Sequence, residues 1–250
     1  MGCRDTGRLS IDAVREITGI EWQRMVTDSA GSVEVLHNLS RPYPDDQGTG
    51  KAPTVVGVKR PISDSEARQI AVQFMLENSG LFVPRALMGD LRAEDLAVGE
   101  VISNTYPAEY ASRGTDFTVI FSQVYKGIPV FEATSRLSLT QYGEIWSVKN
   151  GFAALNNPPT SPQIDEVGAL LSARYALADP TANPQKAPAL MILAPSKLVW
   201  RLNFLLPHFQ EILVDAITGE IALMRKNVRD QTPRVLTEGT VGKVHMGATR

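Results

Sequence analysis

Residues 117–150 decide the fold of this chain, and they read FTVIFSQVYKGIPVFEATSRLSLTQYGEIWSVKN. Apolar and polar residues alternate in three consecutive runs. The apolar members are Phe117, Val119, Phe121 and Tyr125 in the first run, Val130, Ala133, Leu137 and Leu139 in the second, and Trp146 and Val148 in the third. Alternation with a period of two predicts strands that are buried on one side and wet on the other. Lys126-Gly127 and Tyr142-Gly143 lie where the chain must reverse, so we predict a three-stranded antiparallel meander.

One string inside this stretch is more specific than the alternation. Residues 123–131, QVYKGIPVF, are followed by YGEI at residues 142–145. The order and spacing of these residues resemble the propeptide module of fungalysin- and thermolysin-type metallopeptidases, the FTP module. That pattern has a Gln, an aromatic residue, a Gly, an aliphatic-Pro-Val-Phe run, and then a strand with a Gly-containing turn. Glu132 departs from the pattern, because the family usually has a small residue or Gly after the Phe.

The chain has 250 residues, of which 43% are hydrophobic and 21% charged, and this composition is typical of a globular protein. The formal net charge of -2 gives no reason to expect a nucleic-acid surface. No apolar run is long enough for a membrane-spanning helix. The single cysteine, Cys3, can form no disulfide within the chain. Cysteine content therefore does not decide between an oxidising and a reducing compartment.

The N-terminal region, residues 1–39, is predicted to hold a short helix and a hairpin. Ser10 can cap a helix that carries Ile11, Val14 and Ile17, and Gly19 can end it. The first ten residues contain no apolar segment of a signal peptide. Two alternatives for Gly2-Cys3 stay open, a myristoylation pattern and the remnant of a lipoprotein cleavage site, so we expect membrane association only if Cys3 is lipidated.

Residues 40–60 are rich in Pro, Gly and Asp, which predicts a linker. Residues 61–155 then form the FTP-like module. Its helix over residues 62–79 begins at Ser63, which makes a capping box with Glu66, and we expect Gly80 to end it. The predicted buried stripe of this helix is Ala67, Ile70, Ala71 and Phe74.

Residues 156–228 repeat the scheme of helix followed by sheet. Asp165 can cap a helix whose predicted apolar stripe is Val167, Leu170, Leu171 and Tyr175. The strings LVWRLNF (residues 198–204) and VDAITGEI (residues 214–221) resemble the PepSY domain, which accompanies the FTP module in thermolysin-family propeptides. In the second string, Asp215 and Thr218 can bond backbone groups of a turn, and Gly219 can take a positive φ. Residues 229–250 are predicted to be a tail, or a linker to a domain absent from this chain.

The fold class that follows is α+β, with two tandem units that are each a helix packed on an antiparallel sheet. No catalytic constellation is apparent. The three histidines, His37, His208 and His245, never occur at the i, i+4 spacing that a zinc peptidase needs, and we interpret His37 as a strand residue rather than a ligand. There is no Gly-x-Ser-x-Gly elbow and no phosphate-binding loop. We therefore expect no enzyme activity, no cofactor, no metal and no catalytic residue.

What the resemblance implies is a propeptide-like region that inhibits a thermolysin-type metallopeptidase and assists its folding. The peptidase domain would be a partner in cis or in trans, and the location extracellular or in the cell envelope. Two alternatives remain open. One is a stand-alone or cell-surface binding module of the same architecture, and the other is the N-terminal domain of a larger secreted protein without a peptidase.

Overall fold

The structure is a computed structural model, and it describes residues 10–27, 32–38, 60–83, 92–105, 115–205 and 210–226. Its helices are α1 (Ile11–Thr18), α2 (Asp64–Glu77), α3 (Ser79–Phe82) and α4 (Glu166–Leu177), with a 3-10 turn at Ala93–Asp95. Its strands are β1 (Arg24–Thr27), β2 (Val33–His37), β3 (Leu96–Thr105), β4 (Thr115–Tyr125), β5 (Ile128–Leu139), β6 (Ile145–Lys149), β7 (Ala189–Leu193), β8 (Lys197–Phe204), β9 (Gln210–Asp215) and β10 (Ile221–Lys226).

The three longer helices begin where the sequence predicts. The Ser10 hydroxyl accepts from the Ala13 N–H, Ser63 and Glu66 form the complete capping box, and the Asp165 carboxylate accepts from the Gly168 N–H. These contacts satisfy backbone donors that have no partner inside a helix. Gly19 ends α1 in the left-handed conformation, as expected.

The predicted end of α2 is wrong. The helix stops at Glu77, and the Asn78 side chain donates to the Phe74 carbonyl over 2.9 Å. Gly80 lies within the short helix α3 instead of ending α2. An Asn side chain can satisfy the last carbonyls of a helix without the positive φ that a glycine supplies.

One hydrogen-bonded sheet contains the ten described strands, and it confirms the α+β fold class. The path through the sheet is β1-β2-β6-β5-β7-β8-β9-β10, and β4 pairs with both β5 and β3. Every pairing is antiparallel except the one between β5 and β7, where Val130 lies opposite Ile192. The long strand β5 therefore belongs to both helix-and-sheet units. The domain boundaries remain predictions, and residues 229–250 lie outside the described residues.

The predicted meander is present as β4, β5 and β6. Its turns have positive φ at Gly127 and Gly143, as the reversals require. The third strand departs from the expected alternation, because a register shift opposite Leu139 places Ile145 and Val148 in the core. Trp146 is only half-buried at this irregularity and contacts the ring of His37 instead.

A bulge in β5 brings both hydrophobic cores to the same face of the sheet. In β4, Phe121 packs in the first core with α2, whereas Tyr125 packs against the second core with α4. Residues 121 and 125 of a regular strand point to one face. In β5, Val130 and Ala133 both pack in the second core although they are three residues apart, because the bulge at Glu132 shifts the alternation.

The predicted apolar stripe of α4 is wrong. The helix buries Ala169 and Ala173 completely against the sheet. Three members of the expected stripe, Val167, Leu171 and Tyr175, are exposed. Small residues allow the helix to approach the sheet closely, and the larger apolar side chains are then on its outer side. Among the described helices, none is both long and apolar enough to cross a membrane.

Candidate functional site

A cavity of 490 Å³ opens on the face of the sheet opposite α4. It lies where β5 passes from the first unit to the second. Its lining combines apolar side chains with four charged ones, and the residues are Ser122, Pro129, Val130, Phe131, Glu132, Thr134, Met191, Arg201, Glu211 and Arg225.

Phe131 is the aromatic side chain in the lining of this cavity. Phe131 is buried together with Val199 and Leu213 in a small cluster on this face of the sheet. The guanidinium of Arg201 lies 5.6 Å from the centroid of the ring, and that of Arg225 lies 5.2 Å from it. Cations at this range are attracted by the ring quadrupole, so both arginines are held over one aromatic side chain.

Each of the two arginines is also paired with a glutamate. Arg201 Nε donates to Glu211 Oε1 over 2.7 Å. Arg225 binds Glu132 with both terminal nitrogens, and its Nη2 lies 2.8 Å from Glu132 Oε2. Two parallel N–H···O bonds fix the orientation of a guanidinium as well as its position. The four charges therefore balance, and the cavity has a neutral but strongly polar rim.

The pKa values of the exposed pair follow from this geometry. The hydrogen bond from Arg225 lowers the pKa of Glu132 below its ordinary value, and the charges of Arg225 and Arg201 act in the same direction. The same bond raises the pKa of Arg225. Both groups thus stay ionised throughout the neutral range.

Glu132 has an unusual backbone, with φ at 57°. Among the common residues, glycine takes this conformation with the least steric cost, so the backbone at Glu132 is strained. The sequence identified Glu132 as a departure from the pattern, but its bond to Arg225 joins residues 93 positions apart and has no local signal.

The other characteristic residues of the QVYKGIPVF string form the joint between the units. Gln123 is fully buried, its Nε2 donates to the Ala153 carbonyl over 3.0 Å, and the Ala153 N–H donates back to its Oε1 over 2.8 Å. These two bonds anchor the segment that leads from β6 to the second unit. Tyr125 donates to Asn157 in the same segment over 3.2 Å.

The residues that carried the PepSY resemblance lie in β8 and in the turn between β9 and β10. Trp200 donates to the Ile164 carbonyl over 2.7 Å and so holds the start of α4 on the sheet. In the turn before β10, the Asp215 carboxylate accepts from the N–H groups of Ile217 and Thr218. Gly219 has a φ of 79°, which confirms the predicted turn chemistry.

Around the cavity, the described carboxylates and guanidiniums are paired with one another. Within the described residues, no group of three or more His, Cys, Asp or Glu side chains is placed to hold a metal. His37 lies in β2 against Trp146 with ring centroids 6.0 Å apart, as a strand residue. Cys3, His208 and His245 lie outside the described residues. That the chain has no enzyme activity and no cofactor stays a prediction.

Comparisons with known proteins give structural similarity but no match in sequence. No family profile matches the chain, and no curated protein sequence matches it. Among solved structures, the Bacillus megaterium YpeB C-terminal domain is similar at a TM-score of 0.39 and 12% sequence identity. That similarity covers 88% of this chain and 98% of that one. A similarity of this size is too low to establish function.

Proposed function

We propose that this chain is a non-catalytic, propeptide-like region that binds a thermolysin-type zinc metallopeptidase, inhibits it and assists its folding. The observation that carries the proposal is the position of residues 123–131, QVYKGIPVF, in the folded chain. The residues that resemble the FTP module are those that fasten the two helix-and-sheet units to each other, through Gln123, Tyr125 and β5. The resemblance therefore has a structural counterpart at the joint of the two units.

A fixed joint favours docking onto a partner. When two units share a strand and a buried hydrogen-bond pair, little relative motion has to be lost on binding, and the conformational cost of association falls. A body that binds only the native state of its partner also stabilises that state by mass action. If the peptidase is attached in cis, effective concentration adds to this, so modest contact energy suffices.

The cavity around Phe131 supplies a surface suited to such a partner. It combines apolar floor residues, Phe131 and Met191, with a rim of balanced ion pairs. Rim charges set the orientation of a docked protein more than its affinity. We propose that this chain docks onto the peptidase through this cavity. We further propose that the complex forms outside the cell or in the cell envelope.

The experiment is an inhibition titration. The full chain is added to a purified thermolysin-type peptidase domain, and hydrolysis of a short synthetic peptide is followed. We expect inhibition that saturates with added chain, and recovery of activity from urea-unfolded peptidase that rises when the chain is present. A chain that is folded by circular dichroism but gives no inhibition and no improvement in refolding would contradict the proposal.

A matched pair of variants tests the docking site. Arg201→Ala removes a guanidinium from the rim of the cavity, whereas Arg92→Ala removes an exposed arginine that lies near Glu94 before β3. We expect at least about a tenfold higher inhibition constant for the first variant, a loss of about 1.4 kcal/mol, and no change for the second. Inhibition that is equally strong with both variants would place docking elsewhere on the chain.

A further inference from the structure

Two cations lie directly opposite each other on the face of the sheet away from α2. Arg136 of β5 and Lys149 of β6 are partners in the register of these strands, and both side chains are exposed. Their neighbours Leu137 and Val148 pack in the first core with α2, so the charged side chains point away from that helix. Like charges directly opposite each other on neighbouring strands are destabilising, because they are held close together. The free chain therefore carries a repulsion at this place.

No carboxylate of the chain relieves this repulsion. Among the residues that the structure describes, neither Arg136 nor Lys149 forms an ion pair. Glu34, exposed in the neighbouring strand β2, forms none with either of them. By contrast, the arginines at the cavity, Arg201 and Arg225, are each paired with a glutamate. The first unit's part of this face thus presents two positive charges that are available to an outside anion.

Half-buried apolar side chains flank the two cations. In the register, Ile120 of β4 lies opposite Arg136, and Val35 of β2 lies opposite Lys149. These four residues make one line across β4, β5, β6 and β2, which we call the cationic row. Neighbouring strands are about 4.8 Å apart, so the row is roughly 14 Å long. That is the length of about four residues of extended chain.

The cationic row adjoins the cavity around Phe131. Thr134, which lines the cavity, precedes Arg136 by two residues in β5, so both side chains are on one face of the sheet. Ser135, between them, is completely buried on the other face. At about 3.3 Å per residue, Arg136 lies roughly 7 Å from the edge of the cavity. A protein docked at the cavity would therefore be close enough to contact the row.

We propose that the cationic row binds an acidic segment of a partner protein, in extended conformation, with one carboxylate on Arg136 and a second on Lys149. The guanidinium can donate two parallel bonds to one carboxylate, and the ammonium supplies a compact charge beside it. Carboxylates at this place also remove the repulsion between the two cations. Ile120 and Val35 contact the parts of the segment on either side of the two carboxylates.

The number of cations favours a short protein segment over a polyanionic surface. Lipid-binding clusters hold about 4–8 Lys or Arg side chains, and DNA-binding proteins commonly contact about 6–10 phosphates. The cationic row holds two cations, and Arg24, exposed on β1, adds one more on the far side of β2. The formal net charge of the chain is -2, so no net positive field draws it toward a polyanion.

The test is an NMR titration of the full chain with a short oligoglutamate peptide, followed at the amide signals of Arg136 and Lys149. Exposed ion pairs are weak, so we expect a dissociation constant of about 1 mM at low salt, and weaker binding when NaCl is added. A neutral peptide of serine and glutamine with the same length should leave these signals unchanged. Oligoglutamate that shifts neither signal at about 10 mM overturns the proposal.

A matched pair of variants tests which residues bind. Lys149→Glu reverses one charge of the cationic row, and Lys186→Glu makes the same change at an exposed position before β7. We expect oligoglutamate to bind the first variant at least about fivefold more weakly and the second unchanged. The urea midpoint of Lys149→Glu should be no lower than that of the wild type, because the substitution places an opposite charge across from Arg136. Equal binding by the two variants overturns the proposal, and a lower midpoint contradicts the repulsion on which it rests.

A membrane surface is the alternative that vesicles test. Vesicles of phosphatidylserine and phosphatidylcholine should not bind the chain when they are sedimented with it. Vesicle binding that Lys149→Glu abolishes would overturn the proposal in favour of an anionic lipid surface.

That the acidic segment belongs to the docked peptidase rests on the proposed function. In the inhibition titration, we therefore expect Lys149→Glu, but not Lys186→Glu, to raise the inhibition constant at least about threefold. A chain that binds oligoglutamate but does not inhibit the peptidase supports the cationic row and contradicts the proposed function alone. Inhibition that is equally strong with both variants contradicts the peptidase as the source of the segment.

Discussion

Gln123 and Ala153 are joined by two hydrogen bonds, 2.8 and 3.0 Å long, in which the side-chain amide of one pairs with the backbone of the other. Gln123 comes from β4 in the middle of the meander, and Ala153 belongs to the segment that leads to the second unit. The side chain is fully buried, so its amide needs hydrogen-bond partners inside the protein, and Ala153 supplies two of them. The pair fixes the path of the chain at the joint.

Replacing Gln123 should therefore cost stability. We expect Gln123→Leu to lower the free energy of unfolding by about 1–3 kcal/mol, because the Ala153 N–H and carbonyl lose their partners while the volume stays similar. The measurement is urea unfolding followed by circular dichroism. Gln73→Leu is the control, since Gln73 is exposed and donates to Glu77 on its own helix. Equal midpoints for the two variants would show that the pair contributes nothing.

The backbone at Glu132 predicts an unusual ranking of substitutions. With φ at 57°, this position is strained for every residue except glycine. Glu132→Gly and Glu132→Ala both remove the bond to Arg225, but only the first relieves the strain. We expect the glycine variant to be more stable than the alanine variant by about 1 kcal/mol.

Thr134 provides the control with the opposite sign. It is exposed in the same strand and has no positive φ, so glycine there should be less stable than alanine by about 0.5–1 kcal/mol. The measurement is the free energy of unfolding in urea for the Gly and Ala variants at both positions. The same ranking at both positions would contradict the bulge at Glu132.

Gly151 lies too close to the neighbouring strand for any side chain. A β-carbon at this position would be 2.3 Å from the Thr134 carbonyl oxygen, so the backbone would have to shift. We expect Gly151→Ala to destabilise the chain by about 1–3 kcal/mol. Gly99→Ala is the matched control, because its β-carbon would meet only the Ile120 carbonyl oxygen at 3.4 Å. A Gly151→Ala variant as stable as Gly99→Ala would contradict this packing.

His37 should make stability depend on pH below neutrality. Its pKa is lowered, first by the burial of the ring and then by the nearby charge of Arg24. Because the pKa is lower in the folded chain, the contribution of neutral His37 to the free energy of unfolding is complete above the unfolded-state pKa of about 6.5. That contribution is lost as the pH falls through the folded-state pKa. We expect the imidazole to titrate below 6.5 in the folded chain by NMR, and at the ordinary value in urea. A higher pKa in the folded chain would be inconsistent with this environment.

Local features of the sequence predict local structure well. Ser10, the Ser63–Glu66 pair and Asp165 are all caps, because the groups that they satisfy lie within three residues of them. The turn at Gly219 and the alternation of β4 follow from equally short-range rules. The alternation from Val130 to Leu139 likewise predicted β5, but not that this strand also pairs with β7 of the second unit.

Long-range features could not be predicted in the same way. The stripe of α4 was assigned to its largest apolar residues, but close packing on β8 and β9 selects Ala169 and Ala173 instead. The parallel contact between Val130 and Ile192 and the pair formed by Glu132 and Arg225 join residues that are far apart in sequence. No periodicity reports such contacts, so the cavity around Phe131 emerged only from the structure.

We propose that this chain acts by holding a thermolysin-type peptidase, and we expect it to have no reactive centre of its own. The most direct measurement is isothermal titration calorimetry of the full chain with such a peptidase domain, its catalytic glutamate replaced so that it cannot cleave the chain. We predict saturable binding with a dissociation constant of about 1 µM or lower, equivalent to at least 8.2 kcal/mol of binding free energy, which Arg201→Ala weakens. A folded chain that shows no binding at about 100 µM would contradict the account.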